Sequence, residues 1–253
     1  MTRRSREVGI IKSFVLGAAL AAALAVPAQA GDNKLALSAT TAFTTDYIFR
    51  GVSLSSNGPA VQPEFDLTYG MFYAGMWGSN INPGGDGIEI DYYAGIAPKW
   101  NWNSSSVTFN IGGLAYTYPG ANDLDYFELK TGATWASGSW GVSVTNYWSP
   151  DNFQLGTQSN AIEGGVGYTF NSKLFNFFTP TVSGLVGYQG FEHTNILPDY
   201  TYWNAGLTLG FLEHWSADIR YWDTTYNEVE CFTNTGVRSA CDARVVGTIK
   251  AVF

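Results

Sequence analysis

From Lys34 onward, apolar and polar residues alternate along most of the chain, which is the pattern of a β-strand with two different faces. In the stretch "GIEIDYYAGI", the isoleucines share one face, whereas Glu89 and Asp91 share the other. In "WSADIRYW", Asp218 and Arg220 likewise lie together, opposite apolar residues. A helix would scatter these charges around its surface, so the pattern predicts strands.

The alternation predicts twelve strands, and the connections between them alternate in length. Longer loops, such as residues 49–59, are followed by short turns, such as the one at Gly70; residues 98–106 are the exception, a long connection where a short turn is due. In transmembrane β-barrels, short turns face the periplasm and longer loops face outward. We therefore predict an all-β fold for residues 31–253, an antiparallel up-and-down transmembrane β-barrel. The predicted strands lie near residues 34–48, 60–69, 71–80, 87–97, 105–117, 124–136, 139–149, 158–170, 177–189, 200–212, 214–223 and 242–253.

The composition fits such a barrel: 45% of the residues are hydrophobic, only 13% are charged, and the mean hydropathy is −0.04. An ordinary soluble domain has about 25% charged residues. A soluble sandwich of two sheets would also alternate and is the other interpretation. Aromatic rings near both ends of the strands favour the barrel, whose aromatic girdles lie at the membrane interfaces. The predicted girdle residues are Tyr47, Tyr69, Trp77, Trp100, Trp102, Tyr118, Trp140, Trp148, Tyr168, Tyr188, Trp203, Trp215 and Trp222.

Residues 1–30 have the features of a secretory signal peptide. A basic segment with three arginines precedes the apolar run "SFVLGAALAAALAV", and the small-residue motif "AQA" ends at Ala30, the predicted cleavage site. The alternative is a membrane-spanning helix, but the apolar run is too short, because about 20 such residues are needed to span a bilayer. The segment is therefore interpreted as a signal for export.

Residues 31–253 carry nine Lys and Arg against twenty Asp and Glu. Such an acidic chain is not expected to bind nucleic acid, because phosphate neutralisation dominates that binding. Export leads to an oxidising compartment, so Cys231 and Cys241 are expected to form a disulfide. A metal site is the alternative, but no histidine lies between the two thiols. We expect neither a metal nor a cofactor.

Four stretches of the chain carry a further signal: "DYIFRGVSLSSNGPAVQPEFD", "FYAGMWGSNI", "EIDYYAGI" and "YTYPGANDLDYFELKTGATW". In order and spacing they resemble the TorF-type (Gcw_chp) family of bacterial outer-membrane porins, and the similarity covers nearly all of residues 31–253. The resemblance implies a porin of a bacterial outer membrane without defining its solute. The terminal Phe253 resembles the signal that the barrel assembly machinery reads on a last strand, which would make that machinery a partner.

Charged residues on the polar strand faces are the candidate lumen-lining residues, because in a barrel these faces point inward. Seven acids against four bases would favour cations weakly. Alternatively, these charges are structural and form ion pairs between neighbouring strands in a filled interior. The residues selected by alternation are Glu64, Asp66, Glu89, Asp91, Glu128, Lys130, Glu163, Asp218, Arg220, Arg244 and Lys250.

Asp46 and Arg50 add two charges where the first predicted strand meets its loop. By alternation, Asp46, Ile48 and Arg50 share one face, which is expected to point to the lumen. The two charged residues are expected to pair with each other or with neighbouring strands. Arg50 then either forms a constriction near the outer mouth of the barrel or is a structural residue that stabilises the barrel wall.

These features lead us to expect a porin-like channel, surrounded by outer-membrane lipid, for passive diffusion of small hydrophilic solutes or ions. An outer-membrane enzyme, such as a lipid hydrolase, is one alternative, and it needs a nucleophile or activated water with a positioned base. The two histidines, His193 and His214, are predicted at opposite ends of the barrel, so we expect no enzymatic activity. A non-conducting structural or adhesive barrel is the other alternative.

Overall fold

The computed structural model describes residues 34–82, 87–195 and 197–253. The predicted signal peptide, residues 1–30 with its cleavage site at Ala30, lies outside the described residues, as do residues 83–86 in the glycine-rich connection. The helices within the described ranges include none with the length and apolar character that a membrane crossing requires.

Most of the described residues lie in β-strands, as the alternating pattern predicts. In chain order, the strands are β1 (Leu35–Thr44), β2 (Ile48–Phe49), β3 (Val52–Ser53), β4 (Ala60–Tyr69), β5 (Phe72–Ile81), β6 (Gly87–Ile96), β7 (Lys99–Trp102), β8 (Ser105–Thr117), β9 (Tyr126–Ser137), β10 (Trp140–Ser149), β11 (Ser159–Thr169), β12 (Thr179–Phe191), β13 (Tyr200–Phe211), β14 (Trp215–Thr224) and β15 (Arg244–Val252). Three of them, β2, β3 and β7, have four residues or fewer, and the other twelve form the wall described next.

The twelve long strands close into one antiparallel barrel, which confirms the predicted fold class and strand number. Each long strand pairs with the next one along the chain, and β6 pairs with β8 across the short β7. The last strand, β15, pairs with β1, and we call this pairing the seam. Closure gives each of the twelve long strands a paired neighbour on both sides, so none of them is an edge strand.

The seam is short compared with the pairing on the other side of β1. Its paired residues run only from Thr40 to Thr44 of β1, followed by an exchange of two backbone hydrogen bonds of 2.8 Å between Ala39 and Phe253. By contrast, β1 and β4 are paired along the whole of Leu35–Thr44. The first strand is thus held mainly by β4.

The two ends of the barrel carry different connections. At one end, which we call the turn end, two-residue turns join Tyr69 to Phe72 and β9 to β10. Gly70 and Gly138 begin these turns with φ of 58° and 56°, a conformation that glycine adopts without steric cost. The longer loops lie at the opposite end, which we call the loop end.

The long connection at residues 98–106 is itself a hairpin. Strand β7 pairs with the first residues of β8, from Lys99 opposite Thr108 to Trp102 opposite Ser105. The hairpin extends the barrel sheet at the turn end, and this explains why the segment is longer than the other connections there.

The barrel wall has an apolar outer face and a polar inner face. Phe65 and Ile219 are each 57% exposed, whereas the residues that follow them, Asp66 and Arg220, are buried. Consecutive strand residues point to opposite sides of a sheet, so this contrast places the charges inside and the large apolar side chains outside.

Aromatic residues near the strand ends are divided between the two faces. Tyr69, Trp140 and Trp215 are exposed on the outer face, in agreement with a girdle. The girdle prediction was wrong for three residues that are buried in the interior: Tyr47, Tyr118 and Trp222. Their position near a strand end did not reveal their face, because two of them lie in connections that fold inward and the third follows the alternation of the polar face.

Candidate functional site

The connection between β1 and β4 folds into the barrel as a short hairpin, residues 47–55, which we call the inner hairpin. Its strands β2 and β3 pair with each other, and Arg50 and Gly51 form its turn with φ of 49° and 83°. Positive φ at both central residues is the geometry of a two-residue hairpin turn. The sequence predicted a strand reaching residue 48 and an outward loop; instead β1 ends at Thr44 and the chain bends inward.

Asp46 holds the base of the inner hairpin. Its carboxylate accepts hydrogen bonds of 2.6 and 2.8 Å from the hydroxyls of Ser53 and Ser55, and 2.7 Å from Nη1 of Arg244. A carboxylate with three donors fixes the direction in which the chain leaves β1, because charge-assisted hydrogen bonds are short and strong. Asp46 therefore pairs with the last strand and not with Arg50.

Arg50, at the tip of the inner hairpin, reaches the opposite wall of the barrel. Its Nη1 and Nη2 donate hydrogen bonds of 2.8 and 2.7 Å to the two carboxylate oxygens of Glu128 on β9. Nη1 also donates a bond of 2.9 Å to Oε1 of Gln189 on β12. Both members of the ion pair are buried. The hairpin thus crosses the interior and is fixed at its tip by a bidentate pair.

The hairpin tip is seated closely against β12 and β13. A Cβ atom built on Gly51 would lie 2.8 Å from Cβ of Tyr202, closer than two such atoms approach, so only glycine fits here without displacement. The next residue, Val52, is buried in a cluster with Leu185, Tyr200 and Tyr202. The inner hairpin therefore packs against the wall as well as bonding to it.

A second loop covers the inner hairpin at the loop end. Helix α1 (Glu228–Thr235) begins with a capping box, in which the Asn227 side chain accepts from the N–H of Glu230 and the Glu230 side chain accepts from the N–H of Asn227. The predicted disulfide joins Cys231 in this helix to Cys241, and both sulfur-bearing residues pack in the same cluster as Val52. Two connections thus pack together inside the described part of the loop end.

Tyr226 joins this covering loop to its neighbour. Its ring stacks on Tyr200 with centroids 4.1 Å apart, and its hydroxyl donates a hydrogen bond of 2.7 Å to the carbonyl oxygen of Pro198. Burial raises the pKa of the Tyr226 hydroxyl above its ordinary value, so the hydroxyl stays protonated and acts as a donor at neutral pH.

Arg220 forms a second buried cluster, nearer the turn end. It contacts Asp218 with Nη2–Oδ2 and Nε–Oδ1 distances of 2.9 and 3.2 Å. It also donates to Oδ1 of Asn204 at 2.8 Å and to the hydroxyl of Ser183 at 3.1 Å. These partners lie on β12, β13 and β14, so Arg220 links three adjacent strands, as the structural interpretation of the interior charges predicts.

Glu89 and Asp91 place two carboxyl groups on the same inner face of β6. Both are more than nine-tenths buried, and Oε1 of Glu89 accepts a hydrogen bond of 3.3 Å from the Tyr118 hydroxyl. Among the described residues, Oε2 of Glu89 and Oδ1 of Asp91 are buried without a hydrogen-bond partner. Arg50 bonds to Glu128 instead, so neither of these carboxyl groups receives the hydrogen bonds of the Arg50 guanidinium.

Other interior charges contact side chains on strands that lie one or two positions away in the wall. Glu163 accepts a hydrogen bond of 2.8 Å from the Tyr202 hydroxyl, and Lys130 lies near it, over the ring of Tyr147. On the other side, Tyr93 donates to Asp66 at 2.6 Å.

Two further candidate lumen-lining residues, Glu64 and Lys250, lie near Asp66. Glu64 accepts a hydrogen bond of 3.2 Å from the same Tyr93 hydroxyl, and Lys250 interacts electrostatically with Glu64. Both side chains are partly buried. All of the strand residues selected by alternation lie on the inner face, but whether they line a conducting path stays a prediction.

Several residues that build the site were not selected from the sequence. Gln189, Tyr116, Tyr147 and Tyr202 contact the buried charges, and all lie on the inner face of their strands. The alternation that selected Glu128 also applies to them, so their face could have been predicted. Their contacts could not, because each joins residues distant in sequence.

The histidines lie apart, as the sequence predicted. His193 follows β12 at the loop end, whereas His214 lies in the turn between β13 and β14 at the turn end, where its ring stacks on Phe253 with centroids 5.4 Å apart. A catalytic pair that includes both is therefore excluded by distance along the barrel. Within the described ranges, no cluster of three or more His, Cys, Asp or Glu is arranged to hold a metal.

Comparison with known proteins gives a family and a set of similar folds. Residues 28–253 match the model of a family described as "Bacterial protein of unknown function (Gcw_chp)". A search of curated proteins found no match.

Solved structures similar to the chain include porins. One of the KdgM porin has a TM-score of 0.56 at 10% identity, with 85% of this chain and 99% of that one covered. Another, titled "KdgM porin in complex with disordered oligogalacturonate", has a TM-score of 0.53 at 9% identity over 85% and 99% of the chains. A NanC porin structure has a TM-score of 0.50 at 14% identity over 86% and 98%. At these identities the similarity establishes the fold alone.

Proposed function

Because the chain belongs to the Gcw_chp family and closes into a twelve-stranded barrel, we propose that it is an outer-membrane porin for small hydrophilic solutes or ions. The observation that carries the proposal is the contrast between the faces of one closed wall: exposed apolar residues outside and buried charges inside. A barrel satisfies every backbone group within its own sheet, which is the condition for crossing lipid with strands. The porin folds of similar structures support the same function.

We further propose export and insertion into the outer membrane. Residues 1–30 would direct export, and the exposed outer face of the strands would contact lipid. Phe253 directly follows the last strand, and this residue is 66% exposed and so is accessible to the barrel assembly machinery.

Weak cation selectivity is the finer part of the proposal. Eight acids and five bases make up the interior candidates when Asp46 and Arg50 are included. Three of the bases, Arg50, Arg220 and Arg244, are bonded to acids. By contrast, the carboxyl groups of Glu89 and Asp91 have oxygens without hydrogen-bond partners among the described residues. Acidic linings favour cations. Oligogalacturonate, the acidic sugar chain in one KdgM structure, is therefore not expected to be a good solute here.

A non-conducting barrel that displays its loops is the second candidate. It is favoured by one observation, the packing of the inner hairpin and of the loop that carries α1 inside the loop end of the barrel. The two functions differ in a single measurable property, because only the first requires a continuous water path.

Planar-bilayer recording of refolded residues 31–253 tests these proposals. We expect stepwise conductance and, under a KCl gradient, a reversal potential that indicates a weak preference for K⁺. A preference for Cl⁻ would contradict the selectivity. Correctly folded protein that gives no conductance would overturn the porin and support the display barrel. Hydrolysis of phospholipid by the same preparation would instead point to an enzyme.

A further inference from the structure

The guanidinium group of Arg50 occupies a pocket that matches its shape and charge. Both oxygens of Glu128 accept from its two terminal nitrogens, and Oε1 of Gln189 accepts a third bond. The planar fork of a guanidinium presents parallel donors that match a carboxylate in this way, which the single charge of an ammonium group cannot reproduce.

Aromatic groups complete the pocket. The guanidinium carbon lies 4.8 Å from the ring centroid of Tyr147 and 4.7 Å from that of Phe49. Cations are attracted to the faces of such rings. The hydroxyl of Tyr116 donates a hydrogen bond of 3.0 Å to Oε2 of Glu128 and so orients the carboxylate.

Apart from Phe49, which lies on the inner hairpin, the pocket belongs to the barrel wall, whereas the cation that fills it belongs to a loop. Tyr116, Glu128, Tyr147 and Gln189 lie on β8, β9, β10 and β12, which are held by long ladders on both sides. Strands β2 and β3 have two residues each and pair only with each other among the described strands. The wall residues therefore do not depend on the hairpin for their backbone positions.

From this arrangement we propose that Tyr116, Glu128, Tyr147 and Gln189 form a guanidinium-binding subsite on the inner wall, which the chain's own Arg50 occupies. Solutes with a guanidino group compete with Arg50 for it, and solutes with a primary ammonium group bind it less well. Entry of a solute through the lumen rests on the proposed porin function. The subsite itself does not, because it consists of wall residues of the folded barrel.

Chemical rescue of Arg50→Ala tests the subsite. The variant removes the resident guanidinium and keeps the wall residues. The variant is refolded in detergent and heated with and without about 20 mM methylguanidinium chloride. At this concentration, a subsite that binds methylguanidinium with a millimolar dissociation constant is largely occupied. We expect the unfolding temperature to rise by about 2–4 °C, the shift that roughly a fivefold change in the folding equilibrium produces in a domain of this size. The wild-type protein, whose subsite is filled, should not respond.

Two controls make the result specific. Arg50→Ala combined with Glu128→Gln keeps the vacated space but removes the carboxylate charge, and it should lose the response. Methylammonium chloride at the same concentration should stabilise Arg50→Ala less than methylguanidinium does. An equal shift in the double variant or with methylammonium overturns the proposal, as does no shift in Arg50→Ala.

A second measurement covers the case in which Arg50→Ala refolds poorly. The yield of folded barrel is then compared after refolding with methylguanidinium, with methylammonium and with neither. We expect a higher yield with methylguanidinium alone, and equal yields in all three would overturn the subsite. Neither measurement requires conductance, so failure of the porin function in bilayers would not be confused with failure of the subsite.

Discussion

Arg50 and Glu128 are joined by two parallel hydrogen bonds of 2.8 and 2.7 Å, although 78 residues separate them in the chain. The pair fixes the tip of a loop hairpin to the far wall of the barrel. Both side chains are buried, so water does not screen the pair as it does at a surface.

Arg50→Ala should lower the free energy of unfolding by about 3–5 kcal/mol, because it leaves a buried carboxylate without its partner. Glu128→Ala should also destabilise the barrel, and the double variant should cost less than the sum of the two. Urea unfolding of the three variants in detergent gives this coupling. Additive costs would show that the two residues do not interact in solution.

The conductance of Arg50→Ala distinguishes the two roles that the sequence left open for this residue. A constriction predicts larger single-channel steps when the side chain is removed. A purely structural role predicts lower stability of the barrel with unchanged single-channel conductance steps. Arg220→Ala is the matched control, because it also removes a buried arginine paired with an acid but leaves the inner hairpin attached.

Gly51→Ala should destabilise the barrel more than Gly138→Ala does. Both glycines have positive φ, 83° and 56°, so both variants carry backbone strain. Only at Gly51 does the added Cβ meet a neighbour, Cβ of Tyr202 at 2.8 Å, whereas Gly138 has nothing within 4 Å. We expect an extra cost of about 1–3 kcal/mol at Gly51, the range for overpacking. Equal unfolding temperatures for the two variants would contradict the close packing of the hairpin.

Asp91→Asn should weaken the preference for cations. The carboxyl group lies on the inner face and has an oxygen without a hydrogen-bond partner among the described residues, so in its ionised form it adds negative charge to the barrel interior. Asp123→Asn makes the same change in net charge at an exposed loop position and should leave selectivity unchanged. Reversal potentials in a KCl gradient measure both. Equal effects would place the selectivity outside the barrel interior.

Reduction of the disulfide should loosen the loop that carries α1 without opening the wall. The bond joins residues separated by 10 positions, and closing a loop of that length contributes about 3 kcal/mol in the chain-entropy description. Trypsin cleavage at Arg238, inside the closed loop, should accelerate after reduction. Cleavage at Lys173, an exposed site at the turn end, serves as the control and should not change. Equal acceleration at both sites would indicate unfolding of the whole barrel.

Ile219→Arg should destabilise the barrel in lipid by about 2–4 kcal/mol, because it places a charge on the lipid-facing side near mid-strand. Val229→Arg replaces an exposed apolar residue on α1, outside the wall, and should have little effect. Unfolding of both variants in liposomes gives the comparison. Similar small costs would mean that the outer face of β14 is in water, against a membrane location.

The alternation of apolar and polar residues was sufficient to predict the barrel. It gave the number of strands and the inner face for residues such as Glu128 and Arg220, because the two-residue period of a strand links sequence directly to face. The period carries no information once the chain leaves the wall. Arg50 was assigned the face of Asp46 by continuing the strand, whereas the chain bends at Thr45 and turns into the barrel.

The contacts of the site could not be predicted for a different reason. The sequence left two possibilities for the partner of Arg50, either Asp46 or a residue on a neighbouring strand. The choice depends on how the closed wall brings β9 and β12 opposite the hairpin tip. "FRGV" does contain the glycine that a two-residue turn needs, so the hairpin itself had a local signal in Gly51. Its direction, inward instead of outward, had none.

The seam described above also bears on how the barrel is made. Its residues come from the two extremities of the wall, with Ala39 bonded to the final residue, Phe253. This ladder can therefore form only after β15 has been synthesised, and every earlier intermediate exposes two unpaired strand edges that could recruit another molecule. Removing residues 248–253 should leave the sheet open, because these residues include every residue of β15 that is in register with β1.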